Sequence, residues 1–570
     1  MHTEPRTLMH QVNLPRTLAT VTLAVVFALA AAAPPVSAGP PPESDQELAV
    51  VPLDDRPANL YFPAMTAAVA DVDTAFPPDS AIGSFTEPGD GEAIGDWLLA
   101  QDNADGFVVS TSMLAYGGLI ASRTGELPES VARDHVEALK TLRQQRPDAP
   151  IYVYDTIQRL AVTQLGGEAA DYYAQVQEWA ILVDRVENLG HEELRGELEA
   201  LEAELPQDVI DDYLAARERN HQINRLMVEW VNEGVIDHLV LAQDDAAEYG
   251  LHRAEREELV ELIGDLGVED QAQVFPGADE VDATLIARFV QDQLGTEPTV
   301  SIEYSGQHGS EWIAVFEDTT FDVNIDRHLR ASAAEPVEHE DADIVLMVNT
   351  PSPDGADRSA DLDAFVARTA ELIDDGREVI VVDAAEVNRA DAELIERFKE
   401  EVPVTELLAY SGWNTAGNAL GIATGHGLSR WAFLERSDRG AGVPSTLEAA
   451  QQHTNYLLHR FVLDDDWKNQ VQPAAYDKGN AMGANVFGLE PDEREILDGY
   501  VSDELAPLVE EFHAEHFAGR QVPIAQRGAT THHAVIGDLE SVDITLPWPR
   551  LFETTLEPDV QLDWPRGSGS

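Results

Sequence analysis

The sequence predicts an α/β protein: a first unit on a parallel sheet, doubly wound or closed into a distorted barrel, then a second, smaller α/β unit and a mainly helical C-terminal portion. Three observations carry this prediction. Short apolar runs alternate with amphipathic stretches from residue 47 onward, the rhythm of strands joined by helices. Several of these runs stop at a carboxylate: 48–53 at Asp54-Asp55-Arg56, 151–154 at Asp155, 238–242 at Gln243-Asp244-Asp245 and 379–382 at Asp383. Between residues 445 and 518 the pattern is mainly helical.

In order along the chain, residues 1–38 read as a signal peptide, because Arg6 and Arg16 precede the apolar stretch 18–33 and Val36-Ser37-Ala38 offers the small residues a signal peptidase needs. Residues 39–46 are a short leader. The first α/β domain, 47–297, has strands expected at 47–53, 106–110, 151–155, 238–241 and 273–275, with an insertion at 169–235 that reads as a helical hairpin. The charge-rich stretch 187–204 is its solvated face. The second domain, 298–430, has strands expected at 299–304 and 312–316, as a hairpin, and at 344–348, 379–383 and 406–409, with 334–341 as a linker. Residues 431–570 are mainly helical, with a late strand at 542–546 and a flexible Gly567-Ser568-Gly569-Ser570 tail.

Composition constrains the setting and the partners. Asp and Glu number 105 of 570 residues against 36 Lys and Arg, for a formal net charge of −69. Only concentrated salt quenches such self-repulsion, since the Debye length falls to about 3 Å at 1 M, so the chain reads as a halophilic, secreted or cell-surface protein. The same field disfavours nucleic acid and anionic membrane surfaces; a small molecule or glycan is the expected partner. After the signal segment no run reaches the ~20 apolar residues of a membrane span. A hydrophobic content of 44% excludes a disordered acidic chain, and the absence of cysteine leaves stability to ordinary burial.

Because parallel strands all point one way, residues just past their C-terminal ends collect on a single rim, which predicts one acidic, arginine-edged pocket. Any one strand-exit Asp also serves as a turn former or helix cap, but the doubled carboxylates of Asp54-Asp55 and Asp244-Asp245 exceed what a cap needs. Pro57 biases Arg56 away from helix, fixing Asp54, Asp55 and Arg56 in an extended turn that suits a polyhydroxylated ligand, a metal, or a loop-pinning salt bridge. After the next strand, Tyr116-Gly117-Gly118 allows close backbone approach, with Tyr116 and Arg123 as donors; a Gly-Gly bend packed under a tyrosine is the plainer account. Asp155 with Arg159, and Asp244-Asp245 with Arg253, repeat an acid–base pairing at two strand exits. In Tyr410-Ser411-Gly412-Trp413-Asn414, Trp413 offers an aromatic platform and Asn414 an amide, or a helix cap, while Gly417 and Gly421 let the following helix pack closely.

Gly277-Ala278-Asp279-Glu280 resembles the Gly-x-Asp-Glu of substrate-assisted β-N-acetylhexosaminidases, which implies Asp279 as the residue positioning an acetamido group and Glu280 as the acid; a helix cap with a first-turn carboxylate is the structural alternative. More widely, the ordered set of Val51-Pro52-Leu53-Asp54-Asp55-Arg56-Pro57, Tyr116-Gly117-Gly118 with Ser122-Arg123, Gln243-Asp244-Asp245 with Gly250, the Gly277 motif, the string from Tyr410 to Gly421, the acidic segment from Asp464 to Trp467 and Leu546-Pro547-Trp548-Pro549-Arg550-Leu551-Phe552-Glu553 resembles the DUF4127 family over almost the whole mature chain. That resemblance implies a common architecture and a shared pocket and names no reaction.

The functional expectation is an exported hydrolase, a glycoside hydrolase in its most concrete form, acting on a glycan-like or other polyhydroxylated substrate. Its catalytic pool is Asp54, Asp55, Asp244, Asp245 and Glu280; Arg56, Tyr116, Arg123, Asp155, Arg159, Arg253, Asp279, Trp413 and Asn414 bind the substrate. No cofactor is called for: the Walker spacing, Gly-x-Gly-x-x-Gly, His-Glu-x-x-His, EF-hand loop and Gly-x-Ser-x-Gly elbow are all missing. No metal ligand is assigned, although Asp54, Asp55, Asp244 and Asp245 can hold Mg²⁺ or Ca²⁺ if their strands are neighbours. A divalent-metal-dependent hydrolase and a secreted solute-binding protein without turnover are the alternatives.

Overall fold

A computed structural model describes residues 46–563 apart from 164–170, 307–308, 340, 354–355, 437–442 and 528–529. The expected signal peptide and the Gly-Ser tail lie outside the described residues. Among the described residues two parallel sheets, a three-stranded antiparallel sheet and a small two-stranded antiparallel one, Gly83–Ser84 with Glu87–Pro88, organise the chain.

The first sheet has six strands in the spatial order Asp73–Ala75, Glu47–Val51, Gly106–Ser110, Ile151–Ile157, His238–Gln243 and Ala272–Pro276, every neighbour parallel. Alternate residues along each strand enter different cores: Val51, Val109, Val153 and Leu241 pack on one face, and Val50, Val108, Tyr152 and Val240 on the other. Burial of both faces is why these strands read as continuous apolar runs and not as alternating ones. The sheet is open, with Asp73–Ala75 and Ala272–Pro276 as its edges, so the doubly wound alternative holds and the barrel does not. The chain steps from Glu47–Val51 to the edge on one side and then returns to Gly106–Ser110 on the other. This reversal leaves a crevice beyond the carboxyl ends of those two strands.

A second parallel sheet repeats that winding in the order Glu335–Pro336, Thr299–Tyr304, Ile344–Asn349, Glu378–Asp383 and Ala409–Ser411. Packing is continuous between the two sheets. The helices Val281–Leu294 and Ala416–Arg436 contribute Leu285, Phe289, Leu420 and Leu428 to the same core as Val50 and Val240 of the first sheet and Leu346 and Val382 of the second. Glycine brings Ala416–Arg436 close: a Cβ on Gly421 would sit 2.2 Å from Glu280 Cγ, and one on Gly425 2.9 Å from the Ala283 carbonyl oxygen. C-terminal helices, among them Gln472–Met482 and Pro491–Phe512, lead to an antiparallel sheet of Gln521–Arg527, Thr530–Thr545 and Thr555–Asp563. Among the described residues no helix is long and apolar enough to cross a membrane.

Four sequence expectations need correction. Residues 312–316 form no strand; Ile313 makes only an isolated bridge with Thr320, and the backbone turns at Phe316 with φ +70°. The expected linker contains the short edge strand Glu335–Pro336, which Pro336 can occupy because an edge leaves its missing N–H unneeded. The strand expected at 406–409 is displaced to Ala409–Ser411 behind a 3₁₀ turn, Val404–Glu406. The insertion is more than a hairpin: Tyr173–Val183, Arg195–Glu202 and Gln207–Asn232 enclose their own small core around Trp179, Leu198 and Tyr213.

Candidate functional site

The carboxyl-terminal rims of both parallel sheets open onto one cavity of about 1010 Å³. The first rim supplies Asp54, Arg56, Arg123, Arg159, Asp244, Asp245 and Asp279, and the second supplies Asn388, Asn414 and Asn418. Gln472, Tyr476, Phe487, Trp548, Arg550 and Phe552 close the remaining side. Residues far apart in sequence therefore meet because every strand delivers its following loop to the same edge.

Arginines organise the first rim into ion pairs. Arg56 Nε donates to both Asp54 oxygens at 3.0 and 2.9 Å, while its Nη2 and Nη1 reach Asp279 Oδ1 and Oδ2 at 2.6 and 3.1 Å. Asn59 adds a bond to Asp54 Oδ1 at 2.8 Å. Arg123 grips Asp244 Oδ2 through Nε at 3.1 Å and Nη2 at 2.5 Å, and Arg159 pairs with Asp245 while donating to the Tyr173 hydroxyl at 2.8 Å. Arg550 is held by Glu553 at 2.6 Å. Each cation thus carries its own carboxylate, and the wall is close to neutral in a chain of net charge −69.

Environment separates the carboxyls. Burial pushes Asp54 up, but the charge and hydrogen bonds of Arg56 outweigh it and leave the carboxyl below its ordinary value. Asp279 responds oppositely: burial dominates, the neighbouring Asp54 charge adds to it, and Arg56 offsets only part, so its pKa rises to about 6. Burial also raises Asp245 against the pull of Arg159.

Among the cavity residues that sequence reasoning missed, which include Asn388, Asn418 and Tyr476, Glu317 is the one with a carboxyl beneath the second rim. Only 4% of it is exposed, its Oε2 accepts from Asn324 Nδ2 at 2.9 Å, and burial lifts its pKa to about 8 against the bonds from Asn324 and the Gly417 amide. The signal was present in the chain, since Ile313-Ala314-Val315-Phe316 is one more apolar run ending at a carboxylate pair, Glu317-Asp318. In a hairpin Glu317 would be an ordinary turn residue; the left-handed backbone at Phe316 instead carries it to the cavity.

Backbone strain concentrates at this cavity. Seven described non-glycine residues have positive φ, and five of them, Phe85, Asp245, Phe316, Asn388 and Asn414, line the cavity. A left-handed conformation costs a bulky residue on the order of 1–3 kcal/mol and persists where surrounding structure imposes it, commonly at functional sites. The Asn388 amide donates to the Asn414 carbonyl at 2.7 Å and the Ala246 amide to the Phe316 carbonyl at 2.9 Å, which locks these turns. Gln243 Oε1, Asn418 Oδ1 and Arg159 Nε are buried in the same wall without a hydrogen-bond partner among the described residues.

The structure divides the predicted site residues. Asp54, Asp244, Asp245, Arg56, Arg123, Arg159, Asp279 and Asn414 line the cavity together, with Asn414 Nδ2 donating to Asp279 Oδ2 at 3.3 Å. Asp55 stands just behind the wall, accepting from Trp548 Nε1 at 2.8 Å and from the Phe85 amide at 3.2 Å. Glu280 is fully buried, with its carboxylate accepting from the Ala278 amide at 2.9 Å beside His328 at 3.3 Å, and the helix Ala416–Arg436 covers it. The likeness to Gly-x-Asp-Glu therefore brings Asp279 to the cavity and leaves Glu280 behind it. Tyr116 is buried with the Arg219 guanidinium 4.3 Å from its ring centre, and Asp155 accepts from Asn224 Nδ2 at 2.7 Å and the Thr156 amide at 2.9 Å inside the fold. Arg253 pairs with Asp184 at 2.7 Å and Glu257 at 2.6 Å away from the cavity. Trp413 packs edge-on to Phe62 with centroids 5.6 Å apart, in the core next to the site.

The proposed Mg²⁺ or Ca²⁺ set does not converge, because Asp54, Asp55, Asp244 and Asp245 are claimed by Arg56, Trp548, Arg123 and Arg159 respectively. Among the described residues no group of three or more His, Asp or Glu side chains is placed to hold a metal ion.

No curated protein matches the chain. A family model described as "Protein of unknown function (DUF4127)" matches residues 48–557, a span that contains both sheet rims, Glu317 and the Trp548 wall. The chain belongs to the DUF4127 family.

Proposed function

We propose that the cavity is the active site of an exported hydrolase acting on a glycan-like, polyhydroxylated substrate, with Glu317 as the proton donor and Asp279 as the general base. The observation that carries this reading is the separation of two cavity carboxyls: Glu317, with a pKa of about 8, is protonated at neutral pH, and Asp279, with a pKa of about 6, is ionised. In the proposed step the glycosidic C–O bond breaks as Glu317 delivers its proton to the leaving oxygen. Water forms the new bond to the anomeric carbon and yields a proton to Asp279. A carboxylate has about four lone-pair sites, so the contacts from Arg56 and Asn414 leave Asp279 able to accept one more hydrogen bond.

The rest of the wall supports a neutral substrate. Asn388, Asn414, Asn418, Gln243 and Gln472 offer amides, and Tyr173, Phe316, Tyr476 and Phe552 offer rings. Hydroxyl-bearing rings match that combination, whereas a charged substrate would have to displace paired carboxylates or arginines. Export is supported by the leader-like residues 1–38, and a saline milieu by the net charge of −69. Screening the full chain in molar NaCl against chromogenic glycosides, with and without chelator, tests the reading. Hydrolysis that resists chelation and is lost in Glu317→Gln is expected.

Solute binding without turnover is a second reading, favoured by one observation: every arginine of the cavity already has a carboxylate partner. Its signature is tight retention of an unaltered sugar, undiminished in Glu317→Gln.

A further inference from the structure

The side of the cavity farthest in sequence from the first rim is built largely from aromatic rings. At its inner end Trp548, only 2% exposed, meets Phe85 edge-on with centroids 5.0 Å apart. The Arg550 guanidinium stands 4.6 Å from the Trp548 ring centre and 5.3 Å from that of Phe552. Next come Tyr476 and Phe487, whose ring centres are 6.0 Å apart, and Phe487 is 48% exposed. Backbone hydrogen bonds from Leu551 N to Val486 O at 3.0 Å and from Leu489 N to Pro549 O at 2.6 Å fasten the Phe487 loop to the Trp548 segment. The rings thus grade from a buried tryptophan to an exposed phenylalanine along one tethered wall.

We infer that this wall is a track for an extended, uncharged oligosaccharide, with several sugar rings bound in succession from Phe552 to Phe487 and Trp548 backing the inner end beneath Arg56 and Arg550; the inference rests on the hydrolase reading and narrows its substrate to chains over monosaccharides. Three observations carry it. The volume of about 1010 Å³ stands at the top of the ~300–1,000 Å³ that houses a drug-sized ligand, which is more room than a single pyranose fills. Aromatic faces bury the C–H faces of sugars, and successive rings along one wall suit successive sugar units. Arg550 is neutralised by Glu553, so the track lacks the free cation that an anionic polymer needs, and the net charge of −69 repels nucleic acid, the other chain-like ligand that stacks on aromatic rings.

Calorimetry on the full chain in molar NaCl, using malto-, cello-, xylo- and chito-oligosaccharides of one to six units, tests the inference. In at least one series the affinity is expected to climb tenfold or more between one and four units. Phe487→Ala and Tyr476→Ala are each expected to weaken tetrasaccharide binding at least threefold, and Tyr476→Phe, which keeps the ring, to restore it; Phe487→Ala should leave the Tm within a degree or two because that side chain is half exposed. A series that is hydrolysed but bound no more tightly at six units than at one overturns the track and leaves the hydrolase standing. Failure to bind or cleave any sugar in the panel overturns both.

Discussion

Arg56 and Asp279, 223 positions apart in the chain, meet in a two-point ion pair, Nη2 to Oδ1 at 2.6 Å and Nη1 to Oδ2 at 3.1 Å, and Arg56 simultaneously holds Asp54. One guanidinium therefore ties the loop after the inner strand Glu47–Val51 to the loop after the edge strand Ala272–Pro276. Replacing it by alanine leaves two buried carboxylates without their cation, a change that typically costs about 3–5 kcal/mol. Denaturant unfolding of Arg56→Ala in high salt should show a loss of that size. Arg56→Lys should recover only part, because an ammonium cannot span both carboxylates with a planar fork.

Glu317 sets an alkaline limit on activity. A donor must be protonated, so turnover should fall as pH rises through about 8, and a base at Asp279 should give an acid limb near 6. The pH–rate profile is expected to be bell-shaped between those values, and Glu317→Gln should lower kcat by roughly 10²–10⁴. The same variant should raise the Tm at pH 9, where wild type must bury a charge that glutamine lacks.

Buried carboxyls also give stability a direction with pH. Burial raises Asp155 and Asp383 to about 7 and Glu317 to about 8, so the folded state binds these protons more tightly than the unfolded chain. Their stabilising contribution is complete below about pH 4 and is lost as pH rises through 7 to 8. At fixed high salt the Tm should therefore decline from pH 5 to pH 9, and Asp155→Asn should flatten that decline; scanning calorimetry across the range checks both.

Salt acts on the surface more than on the cavity. With a net charge of −69, lowering NaCl from 2 M to 0.1 M lengthens the Debye length to about 10 Å and restores repulsion among exposed carboxylates. The Tm should drop steeply over that interval, while ligand affinity at a temperature where the chain stays folded should change little, because the arginine pairs of the cavity are internal.

Much of the first sheet could be read from the chain because strands buried on both faces leave unbroken apolar runs, and two of them end where Asp54 and Asp244 begin the loops; the third runs on past Asp155 to Ile157, which keeps that carboxylate inside the sheet. Depth could not be read in the same way. Asp279 and Glu280 are adjacent in sequence, yet one faces the cavity and the other lies beneath the helix Ala416–Arg436, a difference set by how Gly421 lets that helix approach. Tyr116, Asp155, Arg253 and Trp413 have the chemistry of ligand-binding residues but find partners within the protein, and only tertiary packing decides that. Of the second rim only Asn414 was legible, from its place beside Trp413; Asn388 and Glu317 reach the cavity at or just after left-handed residues, and such turns leave no periodicity to read.

The hydrogen bond from Trp548 Nε1 to Asp55 spans 493 positions and fastens the segment after the strand Thr530–Thr545 against the loop after the strand Glu47–Val51. Residues up to 500 supply every strand of both parallel sheets and Gln472, Tyr476 and Phe487 of the closing side, but Trp548, Arg550 and Phe552 come only after the C-terminal helices and complete it. A chain truncated before Trp548 is therefore expected to keep the carboxylate rim and lose the grip of the aromatic side.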